Sequence, residues 1–229
     1  DFILNQNPNI VEERVEVCPN SIEPIDININ EGLKIDIRKK YNIPLDKIVF
    51  IYGGNLGKPQ GIDFLIDCLK VNSNNKNVYF VIAGSGTEYK KLKKYFENES
   101  PPNAKLFKQL PKADFEMLVN SCDVGLIFLD KRFTIPNFPS RMLSYMQASI
   151  PVLAATDPNT DIGKVIEEGN FGYWTISDDV QKFNEKLNKL CDKKLRRILG
   201  KNARKYLEEN YTVNHTYNII MKHFDTEKR

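Results

Sequence analysis

Between Ile48 and Leu65 the sequence changes character twice, and no other stretch restricts the fold as strongly. Ile48-Val49-Phe50-Ile51-Tyr52 is an unbroken apolar run rich in β-branched and aromatic residues, the composition of a strand buried on both faces. Glycines then crowd the chain at 53, 54, 57 and 61, with Lys58 and Gln60 among them. After Gly61, the apolar residues Ile62, Leu65, Ile66 and Leu69 recur at helical spacing. A strand, a glycine-rich turn carrying one lysine and a helix bring backbone N–H groups to an anion at a helix N-terminus, so a phosphate site is expected here. The same residues also read as a plain βα connection with an exposed lysine.

The strand-then-helix pattern recurs along the chain. Strands are expected at Val78 to Ala83, Ala104 to Phe107, Asp123 to Leu129, Pro151 to Ala155 and Phe171 to Ile176, with a short one at Arg14 to Cys18. Helices are expected at Glu31 to Tyr41, after Gly86, at Lys112 to Ser121, Phe138 to Ala148 and Asp161 to Glu168. From Val180 the chain reads as helical, with Leu195, Ile198, Leu199, Ala203 and Tyr206 as one apolar stripe. A final helix begins at Thr212, a good N-cap, and shows Val213, Tyr217, Ile220, Met221 and Phe224 on one face. Such alternation predicts an α/β fold, a Rossmann-like parallel sheet with helices on both faces and extra C-terminal helices. Ligands of such sheets sit beyond the carboxyl ends of the strands, which directs attention to loops 53–61, 84–87, 108–111, 129–138 and 155–161.

Composition narrows the class. Lys+Arg 33 against Asp+Glu 30 leaves a formal net charge of +3, too balanced for a nucleic-acid binder. No apolar run is long enough to cross a bilayer, and the first residues have neither a basic start nor a signal-peptide core. They read instead as the middle of something larger. Cys18, Cys68, Cys122 and Cys191 are scattered beside apolar segments, so reduced structural thiols in a cytosol are expected.

Several loops carry groups suited to an anionic sugar compound. Lys58 supplies charge in loop 53–61, and Arg141 stands with Pro139 and Ser140 in the expected first turn of a helix, placed to fork onto a phosphate. As a bare sequence feature Arg141 also reads as a solvated surface charge. Loop 155–161 offers Thr156, Asn159, Thr160 and Asp161 at the start of another helix. Neither G-x-G-x-x-G after the first strand nor G-x-x-x-x-G-K-[ST] occurs, and no D-x-D is present, so no metal site or cofactor is expected. His215 and His223 lie in the last helix, away from these loops.

Asn55-Leu56-Gly57-Lys58-Pro59-Gln60-Gly61, Val81-Ile82-Ala83-Gly84-Ser85-Gly86, and Pro139-Ser140-Arg141 running to Tyr145-Met146 and Pro151-Val152 resemble, in the same order, one family. It is that of retaining, nucleotide-sugar-dependent glycosyltransferases with the GT-B fold (glycosyltransferase family four). The likeness is greatest to the bacterial transferases of capsule, O-antigen and exopolysaccharide assembly. The resemblance spans about residues 10 to 225 and corresponds to the C-terminal, donor-binding half alone. It implies residues 1–30 as a hinge strand and linker, 31–211 as the nucleotide-sugar domain and 212–229 as a helix crossing back to an N-terminal acceptor domain. The apolar face of that helix would then lack its partner. This half alone is not expected to be a competent enzyme.

Carried over by position, the resemblance makes Lys58 and Arg141 the catalytic groups. It places Gly54, Asn55, Gly57 and Gln60 around the donor diphosphate, Gly84 and Gly86 at the border of the site, and Gln109 and Leu110, in the stretch Lys105 to Leu110, against the base. Asn137 and Ser140 would lie at a helix N-terminus facing the diphosphate, Ser144 further along that helix at the ribose, and Thr160 and Asp161 would approach the sugar. The implied donor is a UDP-sugar, and the implied acceptor a glycan or lipid-linked sugar. The implied place is the cytoplasm or the inner face of the membrane.

The chain departs from the family twice. Asn55 and Gln60 stand where the family usually has an arginine and a lysine, and Ser144 stands where it usually has a ribose-gripping glutamate. These departures keep open a non-catalytic GT-B binding module and, further off, a nucleotide-sugar epimerase.

Overall fold

A computed structural model describes residues 2–27 and 29–225. A short helix α1 (Phe2–Gln6) and a 3-10 turn (Glu12–Arg14) precede α2 (Glu31–Lys40). The chain then alternates: β1 (Ile48–Asn55), α3 (Ile62–Val71), β2 (Val78–Ser85), α4 (Tyr89–Glu99), β3 (Ala104–Phe107) and α5 (Lys112–Asn120). It continues with β4 (Val124–Phe128), α6 (Arg141–Gln147), β5 (Val152–Thr156), α7 (Ile162–Gly169) and β6 (Gly172–Ile176). Helices α8 (Val180–Lys189), α9 (Lys193–Asn210) and α10 (Val213–Asp225) follow.

The six strands form one sheet in the order β3-β2-β1-β4-β5-β6, parallel throughout. Val49 to Tyr52 are at 0% exposure, as an apolar run covered on both faces requires. One helical layer brings Ile37, Leu118, Met142, Ile166 and Ala203 against Val49 and Ile51; the other brings Leu65, Leu92 and Phe183 against Phe50 and Tyr52. The strand order reverses at β1, whose neighbours are β2 and β4, so a crevice opens at the carboxyl ends of β1 and β4. In the register that pairs Ile48 with Val78, Gly54 lies beside Gly84 and Asn55 beside Ser85, which sets the two glycine-rich loops side by side at that crevice.

Four expectations are corrected. Arg14 to Cys18 is not a strand, since both sheet edges lie elsewhere and Val17 is 80% exposed. This segment runs along α10 instead, where Glu16 pairs with Lys222 and His223. The helix expected from Phe138 begins at Arg141, because Phe138 precedes Pro139 and is pushed out of the helical region. Ile198 belongs to no core stripe and is 55% exposed, while Cys18 is an exposed thiol rather than a structural one.

On α10, Val213, Tyr217, Ile220 and Phe224 are exposed and Met221 is half-buried, and Thr212 Oγ1 accepts from His215 N–H at 3.1 Å as its cap. Residues 226–229 of that expected helix lie outside the described residues, as do residues 1 and 28. No helix among the described residues is long and apolar enough to cross a membrane.

Candidate functional site

Beyond the carboxyl ends of β1 and β2 lies a cleft of about 420 Å³ lined by Gly54, Asn55, Ala83, Gly84, Ser85, Gln109, Leu110, Lys112 and Phe115. Five of the expected donor residues, Gly54, Asn55, Gly84, Gln109 and Leu110, are thus brought to one cavity. Its floor forms because the chain gives up side chains there. A Cβ on Gly53 would fall 2.0 Å from the Phe115 ring, and one on Gly84 would fall 2.0 Å from the Gly54 carbonyl oxygen. Ser85 Oγ lies 3.0 Å from Gln109 Oε1 and ties the β2 and β3 loops together at the rim. None of the nine lining residues is acidic, so the cleft favours an anion or a neutral group over a cation.

Arg141 brings a charge against this floor. Its guanidinium lies over the Tyr52 ring, 4.5 Å from the centroid, and a Cβ on Gly54 would sit 3.4 Å from its Nη2. Gly54 has φ +118°, in the region that favours glycine, so this approach is open without a side chain in the way. Among the described residues Arg141 has no ion-pair partner, and its buried Nη1 has no hydrogen-bond partner. A buried guanidinium N–H left unpaired costs about 1–3 kcal/mol. A ligand anion would remove that cost. Burial raises the Tyr52 phenol pKa, against an opposing pull from Arg141, so the hydroxyl remains a neutral donor to Asn55 O at 2.8 Å.

Lys58 is exposed on the 3-10 turn Lys58–Gln60 and makes no ion pair among the described residues. Its neighbours have local duties. Gln60 is 5% exposed and its Oε1 accepts from Gly57 N–H at 3.2 Å, so both polar groups are spent inside the loop. Pro59 O accepts from Asp130 N–H at 2.8 Å, which fastens the turn to the end of β4. Gly86 allows the β2 loop to close on the β1 loop, since a Cβ there would lie 2.5 Å from Leu56 O.

The remaining expected residues form a second cluster over β4 and β5. Thr160 Oγ1 donates to Asn137 O at 3.0 Å, and Asn159 Nδ2 donates to Phe133 O at 2.9 Å. Thr160 N–H is taken by the fully buried Asp157 at 3.0 Å, so it is not available to a sugar. Asp161 is exposed at the start of α7, and Ser140 is exposed without capping α6. Ser144 is half-buried in α6, one turn after Arg141. Helix α6 has only seven residues, and the N–H groups of Met142 and Leu143 already bond Pro139 O and Ser140 O. What this helix brings to the crevice is the Arg141 side chain rather than a row of open amides.

Lys105, expected near the base, donates to Tyr41 O at 2.7 Å, and burial lowers its pKa. Lys112 and Phe115 were not foreseen. Lys112 opens α5 directly after the β3 loop, where the rule of strand carboxyl ends applies equally, whereas Phe115 reads in sequence as ordinary helix core. Among the described residues no group of three or more His, Cys, Asp or Glu could hold a metal ion.

The profile of the family described as "Glycosyl transferases group 1" matches residues 34–206. The probable glycosyltransferase WbjE of Pseudomonas aeruginosa is 28% identical over 173 residues, which cover 75% of this chain and 43% of WbjE. The solved structure of a glycosyltransferase from Rickettsia africae ESF-5 superposes with a TM-score of 0.78 at 14% identity, covering 98% of this chain and 60% of that one. Alr3699/HepE of Anabaena, in complex with UDP-glucose, superposes with a TM-score of 0.71 at 17% identity, covering 90% of this chain and 57% of that one. At such identities the structural likeness shows the fold, a Rossmann-like domain of the GT-B kind, and the chain spans less than two thirds of the length of each of these proteins. With three quarters of its residues inside the matched region, the chain belongs to the glycosyl transferases group 1 family.

Proposed function

We propose that this chain is the donor-binding half of a metal-independent glycosyltransferase, which moves a sugar from a nucleoside diphosphate to a glycan or lipid-linked acceptor. The observation that carries this reading is Arg141, an unpaired guanidinium with a buried, unpartnered nitrogen beside Gly54 at the switch-point crevice. A UDP-sugar is the preferred donor; Alr3699/HepE, bound to UDP-glucose, has the same fold. The base and ribose would occupy the cleft between Gly84, Gln109, Leu110 and Phe115, with the diphosphate over Gly54. Residues 31–211 would form this domain, residues 1–30 the linker, and 212–229 the crossover to an acceptor-binding domain outside this chain.

As the sugar C1–O bond breaks, its electron pair goes to the terminal phosphate oxygen. The acceptor oxygen bonds to C1 and gives its proton to that departing phosphate oxygen. Arg141, beside Gly54, and Lys58, on the turn after β1, would stabilise the growing negative charge on the departing diphosphate. The membrane-facing acceptor, the cytoplasmic side and a role in capsule or O-antigen assembly belong to the same proposal.

Calorimetry of the full-length protein with UDP, GDP and ADP tests it: one of them binds, and Arg141→Ala weakens that binding by about tenfold to a hundredfold, the scale of a lost charged hydrogen bond. Absence of binding at millimolar concentration of all three would overturn it.

A second reading, a GT-B domain kept for binding alone, is favoured by Ser144 at the ribose position and by the absence of any carboxylate in the cleft lining. It predicts nucleotide binding with no sugar transfer to any glycan acceptor. An epimerase would release an altered nucleotide-sugar without an acceptor, which product analysis detects.

A further inference from the structure

Arg141 and the end of β1, Gly53-Gly54-Asn55, are linked by one buried side chain, Tyr52. Its ring is at 0% exposure and carries the Arg141 guanidinium 4.5 Å from its centroid, while its hydroxyl donates to Asn55 O at 2.8 Å. Tyr52 belongs to the core on the α3, α4 and α8 side of the sheet, whereas Arg141 opens α6, whose buried residues Met142 and Leu143 lie on the other side. The guanidinium therefore crosses the crevice between the two layers, and the Tyr52 ring is where it comes to rest.

An aliphatic residue at this last inward position of β1 would fill the core equally well. It would offer no negative ring face to a cation that lacks a carboxylate partner, and no hydroxyl to the Asn55 carbonyl. Phe128, 6.1 Å from Tyr52 centroid to centroid, and Phe64 beyond it keep the ring in place.

We infer that Tyr52 is a positioning residue of the diphosphate site: its ring holds the Arg141 guanidinium toward the crevice, and its hydroxyl fixes the end of β1 bordering the same anion. This rests on the donor-binding reading above. Tyr52 touches neither substrate nor reacting atoms. It acts through Arg141 and through Asn55.

The test separates these two routes without disturbing the core. Tyr52→Phe keeps the ring and removes the hydroxyl. Replacing that phenylalanine with mono-, di- and trifluorinated phenylalanine nearly preserves its shape while draining the negative ring face. Calorimetry of the full-length protein with UDP, GDP and ADP reads each variant. The expected result is about threefold weaker binding for Tyr52→Phe, followed by a stepwise further loss of about tenfold across the fluorinated series. In an Arg141→Ala background the fluorinated series is expected to be flat, because the ring then has no cation to hold. A flat series beside native Arg141, or the same slope without it, overturns the role of the ring. Unchanged binding by Tyr52→Phe overturns the role of the hydroxyl. A native protein that binds none of the three nucleotides overturns the donor-binding reading and this inference together, whereas binding with a flat series overturns the inference alone.

Discussion

Gly84 lies directly against Gly54: a Cβ added to Gly84 would meet the Gly54 carbonyl oxygen at 2.0 Å. The contact is between backbones locked in the β1–β2 ladder, so no flexible side chain can move aside to relieve it. Gly84→Ala is therefore expected to cost about 3 kcal/mol and to separate the two loops that form the cleft floor. Thermal melting reads the first effect and nucleotide binding the second. An alanine variant with unchanged melting would show that the loops can part at no cost.

Much of this arrangement is legible in the sequence because the hydrophobic period switches cleanly. Ile48 to Tyr52 and Val78 to Ala83 are too apolar and too short to be surface helices, and the stripes after them fit only helices. The cleft residues Gly54, Gly84, Gln109 and Leu110 follow from the rule about strand carboxyl ends. What stays hidden depends on contacts distant in sequence. Nothing near Tyr52 announces that Arg141 will lie across its ring, and nothing near Gly53 announces Phe115. Local hydrogen bonding hides the rest: Gln60 looks like a ligand residue until Gly57 N–H is found to occupy it, and Thr160 until Asp157 does.

The unpaired guanidinium also predicts a conflict between stability and binding. Arg141 places a charge in a half-buried site with one nitrogen unpartnered, which costs the unliganded fold something that only an anion returns. Arg141→Met keeps the length and packing of the stem. It is expected to melt within about 1 kcal/mol of the native protein, or above it, when no nucleotide is present. UDP should raise the melting temperature of the native protein more than that of Arg141→Met at the same concentration. Lys58→Ala, by contrast, removes an exposed side chain and should leave melting unaltered while lowering turnover more than donor affinity. Equal losses in kcat and affinity would mean that Lys58 binds substrate and transition state alike.

Acid should loosen the N-terminal ends of α8 and α9. Asp179 accepts from Lys182 N–H, and Asp192 accepts from Lys194 and Leu195 N–H; these backbone bonds hold both carboxyls below their ordinary 3.8. Carboxyls with lowered pKa values in the fold contribute stability that is present above the unfolded value of 3.8 and lost as pH falls through the folded value. Helical content measured against pH should therefore drop below that point. Asp192→Asn keeps a cap acceptor without a titrating group, so it should reduce the acid dependence of α9. An unaltered acid limb in that variant would assign the loss to other carboxylates.

Ser144 offers the most direct test of how far this chain has drifted from its family. It is half-buried on α6 one turn beyond Arg141, where the family resemblance places a glutamate against the ribose hydroxyls. A carboxylate there could accept two charge-assisted hydrogen bonds, whereas a serine hydroxyl offers one neutral contact. Ser144→Glu is expected to strengthen UDP binding by about tenfold, the scale of one added charged hydrogen bond. The gain should depend on the ribose, so inorganic pyrophosphate should bind no better to Ser144→Glu than to the native protein. A carboxylate so near Arg141 could instead pair with it and occupy the phosphate site. In that case pyrophosphate and UDP would both weaken, and Arg141 would be shown to lie within reach of residue 144. Stronger binding of UDP alone would mean that the ribose pocket is intact and that this chain lacks only the acid that the family usually supplies.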